Sequence, residues 1–149
     1  MAAILNQSAV AAEPDVGGVA RQRLLTQERV RGTHILLDRL TIAAGGTAHL
    51  AVPARGLAWF QILEGEAILA HAGGRETLTE AHVAFLPPGF AATLSSSDGA
   101  VVLYGEIPDA ASLDPALTKN SPAFRVVDWT REPVLDSEHD ARKRIYLVT

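Results

Sequence analysis

The sequence predicts an all-β protein, built as a sandwich or barrel of short strands. Between residues 33 and 108, short runs rich in branched side chains alternate with turn signals. The turns recur about every 8–12 residues, which is typical of such folds. Glycine pairs at Gly45-Gly46 and Gly73-Gly74 mark two of the turns, and Asp98-Gly99 marks another. The length of 149 residues suggests one domain with a sizeable core.

The strands of this central region follow from alternation and from the turn residues between them. Thr33 begins a branched, partly alternating segment, and Pro87-Pro88-Gly89 separates two of the later strands. The final segment, AVVLYGEI, follows the Asp98-Gly99 turn. The predicted strands cover residues 33–42, 47–52, 59–63, 67–71, 76–79, 82–86, 92–95 and 100–107.

The two ends of the chain differ from this central region. Residues 1–32 are predicted to form an N-terminal arm or tail, with a charged stretch at 21–32 that fits a helical turn or an edge strand. Residues 109–149 are predicted to form a C-terminal extension. Asp114 and Pro115 have the pattern of a helix cap and first helical residue, and residues 124–129 read as a strand.

The last residues, IYLVT at 145–149, look like a strand without a successor. This strand is expected to pair with an earlier strand or with a partner chain, or to lead into a second domain of a longer protein. The charged segment before it, REPVLDSEHDARKR, is expected to be a solvated linker or turn.

Composition excludes several classes of function. The formal net charge is -4, so a nucleic-acid partner is not expected. The sequence contains no cysteine, which excludes disulfides and thiolate chemistry and is compatible with a cytoplasmic location. No apolar run reaches the roughly 18 residues that a membrane span requires, and the N-terminus lacks the positive charge of a signal peptide.

Two turn motifs occur in a register that resembles a known family. Gly46 and Gly65, the latter inside Leu63-Glu64-Gly65-Glu66, bound the first motif, and Pro87-Pro88-Gly89 carries the second about twenty residues later. Together they resemble the paired motifs of the cupins. The resemblance covers about half of the chain and implies a cupin-type double-stranded β-helix, a jelly-roll barrel, flanked here by N- and C-terminal arms.

The resemblance fails at the residues that bind metal in cupins. In this register the His-x-His pair of the first motif falls on Val52 and Ala54, and its Glu falls on Ala58. The histidine of the second motif falls on Ala92. Aliphatic side chains donate no lone pair, so we expect no metal at this position and no cofactor. The second motif also has Ala81 and Ser96 where cupins carry Gly and Asn.

An apolar pocket inside the barrel is the expected result. Alternation places Ala58, Phe60 and Ile62 on one face of their strand and Trp59 and Gln61 on the other. The predicted pocket residues are Val52, Ala54, Ala58, Phe60, Ile62, Phe90 and Ala92.

The five histidines offer little support for a displaced metal site. His49 is predicted to point away from Val52, and His71 and His82 lie beside turns. His34 shares a strand face with Leu36 and Asp38, where a half-buried position is expected. Neighbours in Glu138-His139-Asp140 diverge along the backbone, so they are expected to form a solvated charged turn. Each histidine is interpreted as a surface or hydrogen-bonded structural residue.

A metal-free catalytic set remains an alternative. Tyr104 and Glu106 share one face of their strand, and Arg55 lies in a loop at the predicted barrel mouth. Such a trio has the chemistry for proton transfer on a small acid. The competing interpretation is that Tyr104 and Glu106 lie at a strand end facing solvent.

Three functional hypotheses follow from these observations. The first is a non-catalytic, metal-free domain that forms a dimer or a small-molecule pocket, paired with a catalytic cupin domain or with a second copy through an outward-facing Trp59. The second is a cupin-fold enzyme of the isomerase, lyase or dioxygenase type acting on a small polar acid. The third is a sensor that retains an apolar ligand.

Overall fold

The computed structural model describes residue 4, residues 6–136 and residues 143–145 of the chain. Thirteen strands and one short helix, α1 (Ala110–Leu113), make up these residues together with two single turns of 3₁₀ helix, at Gln7–Ala9 and Pro115–Thr118. The strands are β1 (Glu13–Asp15), β2 (Val19–Leu25), β3 (Leu36–Ile42), β4 (Thr47–Ala51), β5 (Leu57–Gly65), β6 (Ala67–His71), β7 (Gly74–Leu78), β8 (His82–Leu86), β9 (Ala91–Ser95), β10 (Ala100–Ile107), β11 (Arg125–Asp128), β12 (Val134–Asp136) and β13 (Lys143–Ile145).

Two antiparallel sheets enclose the core. The larger sheet has the strand order β1-β2-β3-β10-β5-β8-β11, and the smaller has the order β4-β9-β6-β7. The order differs from the sequence order, because successive strands cross between the sheets as in a jelly roll. β12 and β13 form a separate pair. In the described part of the chain, no helix is long and apolar enough to span a membrane.

Alternation along β5 and β10 fixes which residues face the core. Ala58, Phe60 and Ile62 are buried on one face of β5, as the sequence predicts, while Trp59 and Gln61 remain half-buried on the other. On β10, Val102 and Tyr104 belong to the same core, which is closed on its other side by apolar residues of the smaller sheet. Burial of aliphatic and aromatic side chains between the sheets is the main stabilising contribution.

The N-terminal region is part of the barrel wall, which corrects the prediction of a tail over residues 1–32. β2 pairs with β3 along most of its length, and β1 extends the sheet by one more strand. Gln22 on β2 is buried at 9% exposure, and its side-chain amide donates a hydrogen bond to the Val10 carbonyl at 2.8 Å. The first residues described therefore fold back onto their own sheet. The charged stretch at 21–32 begins within β2, where Arg21, Gln22 and Arg23 pair with β3, so its first part is a strand as one of the two alternatives predicted.

The C-terminal extension begins close to the barrel and then returns to it. The Asp114 side chain accepts a hydrogen bond from the Ala116 amide, as predicted, and the turn that follows is 3₁₀. The predicted strand at 124–129 is present as β11, which pairs with β8. β13 pairs with β12. Of the predicted terminal strand at 145–149 only Ile145 is among the described residues, and residues 146–149 and Glu138-His139-Asp140 lie outside them.

Trp59 lies on the outer face of the large sheet and covers a glycine. It is in register with Gly105 of β10, and a Cβ atom added to Gly105 would overlap the indole ring. The absence of a side chain at Gly105 allows the ring to lie flat against the strand. In this chain the ring is half-buried by its own sheet.

Replacing Gly105 by alanine should destabilise the domain. We expect Gly105→Ala to lower the free energy of unfolding by about 1–3 kcal/mol, because the methyl group and the indole cannot occupy the same space. Urea denaturation followed by circular dichroism measures the change. In a Trp59→Ala background the same substitution should leave the free energy of unfolding almost unchanged, because the indole ring is absent. An equal loss of unfolding free energy in the two backgrounds would show that the effect of Gly105→Ala does not come from a clash with the Trp59 indole.

Candidate functional site

The open end of the large sheet presents two rows of inward-facing residues. Register pairs place Glu106 between Leu36 and Ala58 in the outermost row. Tyr104 lies between Asp38 and Phe60 in the next row. At this end the inner face carries polar groups at Asp38, Tyr104 and Glu106, next to the apolar Ala58 and Phe60 of β5.

Three of the four positions that correspond to cupin metal ligands line the interior. Val52 and Ala58 are buried in the core, and Ala92 packs against it. Ala54 is exposed, so its assignment to the pocket is a correction. β4 ends at Ala51 and the chain turns tightly, with the Gly56 amide donating to the Pro53 carbonyl at 2.9 Å. The period-two alternation that placed Ala54 inside does not continue through this turn.

An aromatic cluster packs beside these positions. It consists of His71 on β6, Phe90 before β9, and Phe124 from the C-terminal extension. The Phe90 and Phe124 rings are stacked with centroids 4.8 Å apart, and the His71 ring lies 4.6 Å from Phe124. The two phenylalanines pack against the core, and His71 is in register with Ala92. The extension thus helps to fill the barrel where metal ligands would otherwise converge.

His71 has a more enclosed position than its place beside a turn suggested. Its side chain is 10% exposed. Nδ1 accepts a hydrogen bond from the Gly73 amide at 3.1 Å, and Nε2 lies 3.5 Å from a Glu76 carboxylate oxygen. His71 is two residues after Leu69 and four after Ala67, both of which are buried on β6. Because alternate residues of a strand face the same side, this spacing predicts that His71 also points inward.

The other described histidines do not approach the interior positions. His49 is exposed on β4, as predicted from its parity, and His34 is exposed in the segment before β3, which corrects the half-buried expectation. His82 accepts a hydrogen bond from the Thr79 amide at 3.0 Å and has a structural role. His139 lies outside the described residues. Across residues 4, 6–136 and 143–145, no three His, Asp or Glu side chains are grouped so as to hold a metal ion.

The predicted Tyr104–Glu106 pair is present. The Tyr104 hydroxyl donates to Glu106 Oε2 at 3.0 Å, and Tyr104 is 7% exposed, so it does not face solvent. Burial raises the pKa of Tyr104 well above its usual value, and the neighbouring Glu106 carboxylate raises it further. The phenol therefore remains protonated and acts as a hydrogen-bond donor.

Arg55 does not join this pair. It is exposed and forms an ion pair with Asp109 at 2.8 Å, outside the barrel. Arg21 of β2 binds Asp38, the cross-strand partner of Tyr104, at 2.5 Å and Asp15 at 3.2 Å. Sequence reasoning missed Arg21 and Asp38 because their proximity depends on the pairing of β2 with β3.

A pocket of about 480 Å³ opens at the apolar side of the same end of the sheet. Its strand residues belong mainly to the outer face of the large sheet, since Trp59, Phe85 and Arg125 are cross-strand neighbours on the face opposite to the buried Ala58 and Leu86. Pro122 and Ala123 of the extension form one wall. Most of its lining is aliphatic or aromatic, and Arg125 is the only charged side chain that lines it among the described residues. The lining residues are Leu57, Ala58, Trp59, Phe85, Leu86, Pro87, Ile107, Pro122, Ala123, Phe124 and Arg125.

This pocket only partly coincides with the one that the sequence predicts. Of the predicted residues, Ala58 lines it. Phe60 and Ile62 are completely buried in the core below it, and Val52 is buried there as well. Phe90 packs on Phe124, so it supports the pocket wall from behind. The predicted interior positions are filled by side chains, and the open volume lies at the ends of β5, β8 and β10 beside the C-terminal extension.

Comparison with solved structures identifies the architecture. The chain superposes on E. coli Ylba with a TM-score of 0.68 at 10% identity, covering 88% of this chain and 53% of that one. It superposes on an RmlC-like cupin from Shewanella frigidimarina with a TM-score of 0.61 at 18% identity, covering 76% and 96% of the two chains. The chain has the cupin fold. No protein-family model and no curated protein matches its sequence.

A third similar cupin structure has a different length. The putative glyoxylate-induced protein from Pseudomonas aeruginosa superposes with a TM-score of 0.70 at 13% identity over 85% of this chain. The match covers 48% of that protein. The chain therefore spans about half the length of this cupin structure and of E. coli Ylba.

The metal site that the cupin fold suggests does not fit the residues present. Val52, Ala58 and Ala92 carry no donor atom, and Ala54 points to the outside of the turn region as an exposed residue. The stacked phenylalanines beside Ala92 are equally unable to bind a cation through lone pairs. We therefore assign no role to a metal at this position.

Removing the Phe124 ring should destabilise the domain measurably. We expect Phe124→Ala to lower the free energy of unfolding by about 2 kcal/mol, because the substitution removes a half-buried ring and no other side chain fills the space that the ring occupied. Leu113→Ala is the control, since Leu113 is 52% exposed in the same extension and should change stability by no more than about 0.5 kcal/mol. Equal effects of the two variants in urea denaturation would show that Phe124 does not fill the barrel.

Stability should fall in alkaline solution because of Tyr104. The pKa of Tyr104 is higher in the folded chain than in the unfolded one, where it is about 10. The contribution of Tyr104 to the free energy of unfolding is therefore fully present below pH 10 and is lost as the pH rises above this value. The loss should reach about 1.4 kcal/mol per pH unit. Tyr104→Phe should be less stable than wild type at pH 8 and lose this steep decline. A constant difference between the two proteins from pH 8 to pH 11 would contradict the assignment.

Proposed function

We propose that this chain is a small-molecule-binding cupin domain that works without a metal at the usual cupin position. The observation that carries the proposal is the apolar pocket between the strand ends of the large sheet and the C-terminal extension. Its volume of about 480 Å³ is within the range of about 300–1,000 Å³ that is typical of ligand sites. The pocket is formed by rigid strand ends of β5 and β8 and is completed by the C-terminal extension.

Association with a second cupin domain or a second copy is part of the same proposal. The chain spans about half of two cupin structures that it resembles, which is the expected size of one barrel in a two-barrel protein. β11 is an edge strand of the large sheet and offers backbone groups for pairing. A non-catalytic role would then be to bind a ligand beside a partner barrel, in a reducing compartment such as the cytoplasm.

A metal-free enzyme is the second candidate, because Tyr104 and Glu106 form a hydrogen-bonded pair on the inner face of the large sheet. In this hypothesis the Glu106 carboxylate accepts a proton from a substrate, and the hydrogen bond from Tyr104 holds the carboxylate in position. The enzyme hypothesis requires that Glu106→Gln abolish turnover of a substrate that still binds, whereas the binding hypothesis requires no turnover at all.

Blocking the pocket should abolish ligand binding. We expect Ala123→Trp to weaken binding of the neutral fluorescent probe N-phenyl-1-naphthylamine at least tenfold, because Ala123 is exposed on the pocket wall and an indole there fills the opening. Ala44→Trp, in an exposed turn outside the pocket, is the matched control and should bind as wild type does. Unchanged binding by Ala123→Trp, or equal losses in both variants, would show that this pocket is not the site.

A further inference from the structure

We infer that the ligand of this pocket is a carboxylic acid with a flat apolar body, bound as its anion by Arg125. The inference rests on the proposed binding function and names the ligand class for the same site. It is carried by one row of side chains that line the pocket on the outer face of the large sheet, namely Trp59, Phe85 and Arg125.

The three side chains of this row are cross-strand neighbours. Phe85 on β8 pairs with Trp59 on β5 and, on its other side, with Arg125 on β11. Adjacent strands lie about 4.7–4.9 Å apart, so roughly 10 Å separates the backbone of Trp59 from that of Arg125. A single aromatic ring that carries a short acid chain spans a similar length. The row therefore offers apolar surface along most of its length and a positive charge at one end.

The Trp59 indole leans away from the middle of this row. A Cβ atom added to Gly105 of β10 would overlap the indole, so the ring extends towards β10. Since β10 and β8 flank β5 on opposite sides, the ring points away from Phe85. The pocket opens over Phe85 and is closed by Pro122 and Ala123 of the extension. A flat apolar group bound there lies beside the guanidinium of Arg125.

The guanidinium of Arg125 has donors to offer. Among the described residues, the one carboxylate within ion-pair distance is that of Glu132, whose Oε1 lies 3.7 Å from Nη2. This distance is too long for a hydrogen bond, and Arg125 forms none with the described part of the chain. A guanidinium binds a carboxylate through two parallel, charge-assisted hydrogen bonds, which are stronger than hydrogen bonds between neutral groups.

The charges around the pocket favour an anion over a cation. Arg125 is the only charged side chain that lines it in the described ranges, and no Asp or Glu side chain does so there. The faces of aromatic rings attract ammonium groups, but the guanidinium repels a second positive charge in the same pocket. A carboxylate is attracted by the same guanidinium and places its apolar body on the rings.

Three probes with the same phenylalkyl body test the inference: 3-phenylpropanoate, 3-phenylpropanamide and 3-phenylpropylammonium. Each is titrated into the wild-type chain at low salt, with displacement of N-phenyl-1-naphthylamine as the readout. We expect the acid to bind about fivefold more tightly than the amide, which has the same shape without the charge, and the ammonium probe to bind most weakly. The preference for the acid should shrink when the salt concentration is raised to about 0.5 M.

Three variants assign the preference to Arg125. In Arg125→Gln the acid and the amide should bind equally. Glu132→Gln removes the carboxylate that competes for the guanidinium, so it should strengthen binding of the acid about twofold. Arg131→Gln is the matched control, because the Arg131 side chain is 86% exposed, pairs with Asp128 and does not line the pocket. This control should keep the preference of the wild type.

The outcomes separate this inference from the proposed function. Equal binding of acid and amide to the wild type would overturn the inference and leave the pocket as a site for neutral molecules. Tightest binding of the ammonium probe, or a preference for the acid that survives in Arg125→Gln, would also overturn it. If neither the naphthylamine nor any probe binds, the proposed function fails as well. The wild-type comparison and its salt dependence need no variant, so a misfolded Arg125→Gln protein would not leave the inference untested.

Discussion

The packing of Phe124 on Phe90 and His71 is the contact on which the rest of the site depends. A barrel interior is filled almost as densely as a crystal of small molecules, so the short side chains Val52, Ala58 and Ala92 require large neighbours. The stacked rings supply that volume, and one of them comes from the C-terminal extension. The extension is therefore joined to the barrel through its core, in addition to the backbone pairing of β11 with β8.

This contact also determines where a ligand can bind. Because aromatic side chains fill the space beside Ala92, the open volume lies further out, between the strand ends and residues 122–125. The segment that fills the barrel thus becomes a wall of the pocket. The open volume is therefore bounded mainly by aliphatic and aromatic side chains.

The sequence predicted the parts of the fold that depend on local pattern. The alternation of β5, the turn glycines and the exposed position of His49 all follow from the chemistry of neighbouring residues. Arg21 beside Asp38, and the aromatic stack, join residues far apart in the chain. Such contacts follow from strand pairing and from the path of the extension, which local pattern does not specify. The parity rule failed at Ala54 for a different reason, since it applies only while the strand continues.

The two unusual features of the site, an alanine at position 58 and a glutamate at position 106, are physically linked. These residues are direct cross-strand partners, and like charges in such a pair are destabilising. Position 58 corresponds to the glutamate ligand of cupins. A carboxylate there would face Glu106, and no metal would neutralise the two charges, because the other ligand positions carry no donor atoms. Alanine at this position avoids the repulsion, so the loss of the metal ligand at position 58 and the carboxylate at position 106 are compatible within one cross-strand pair.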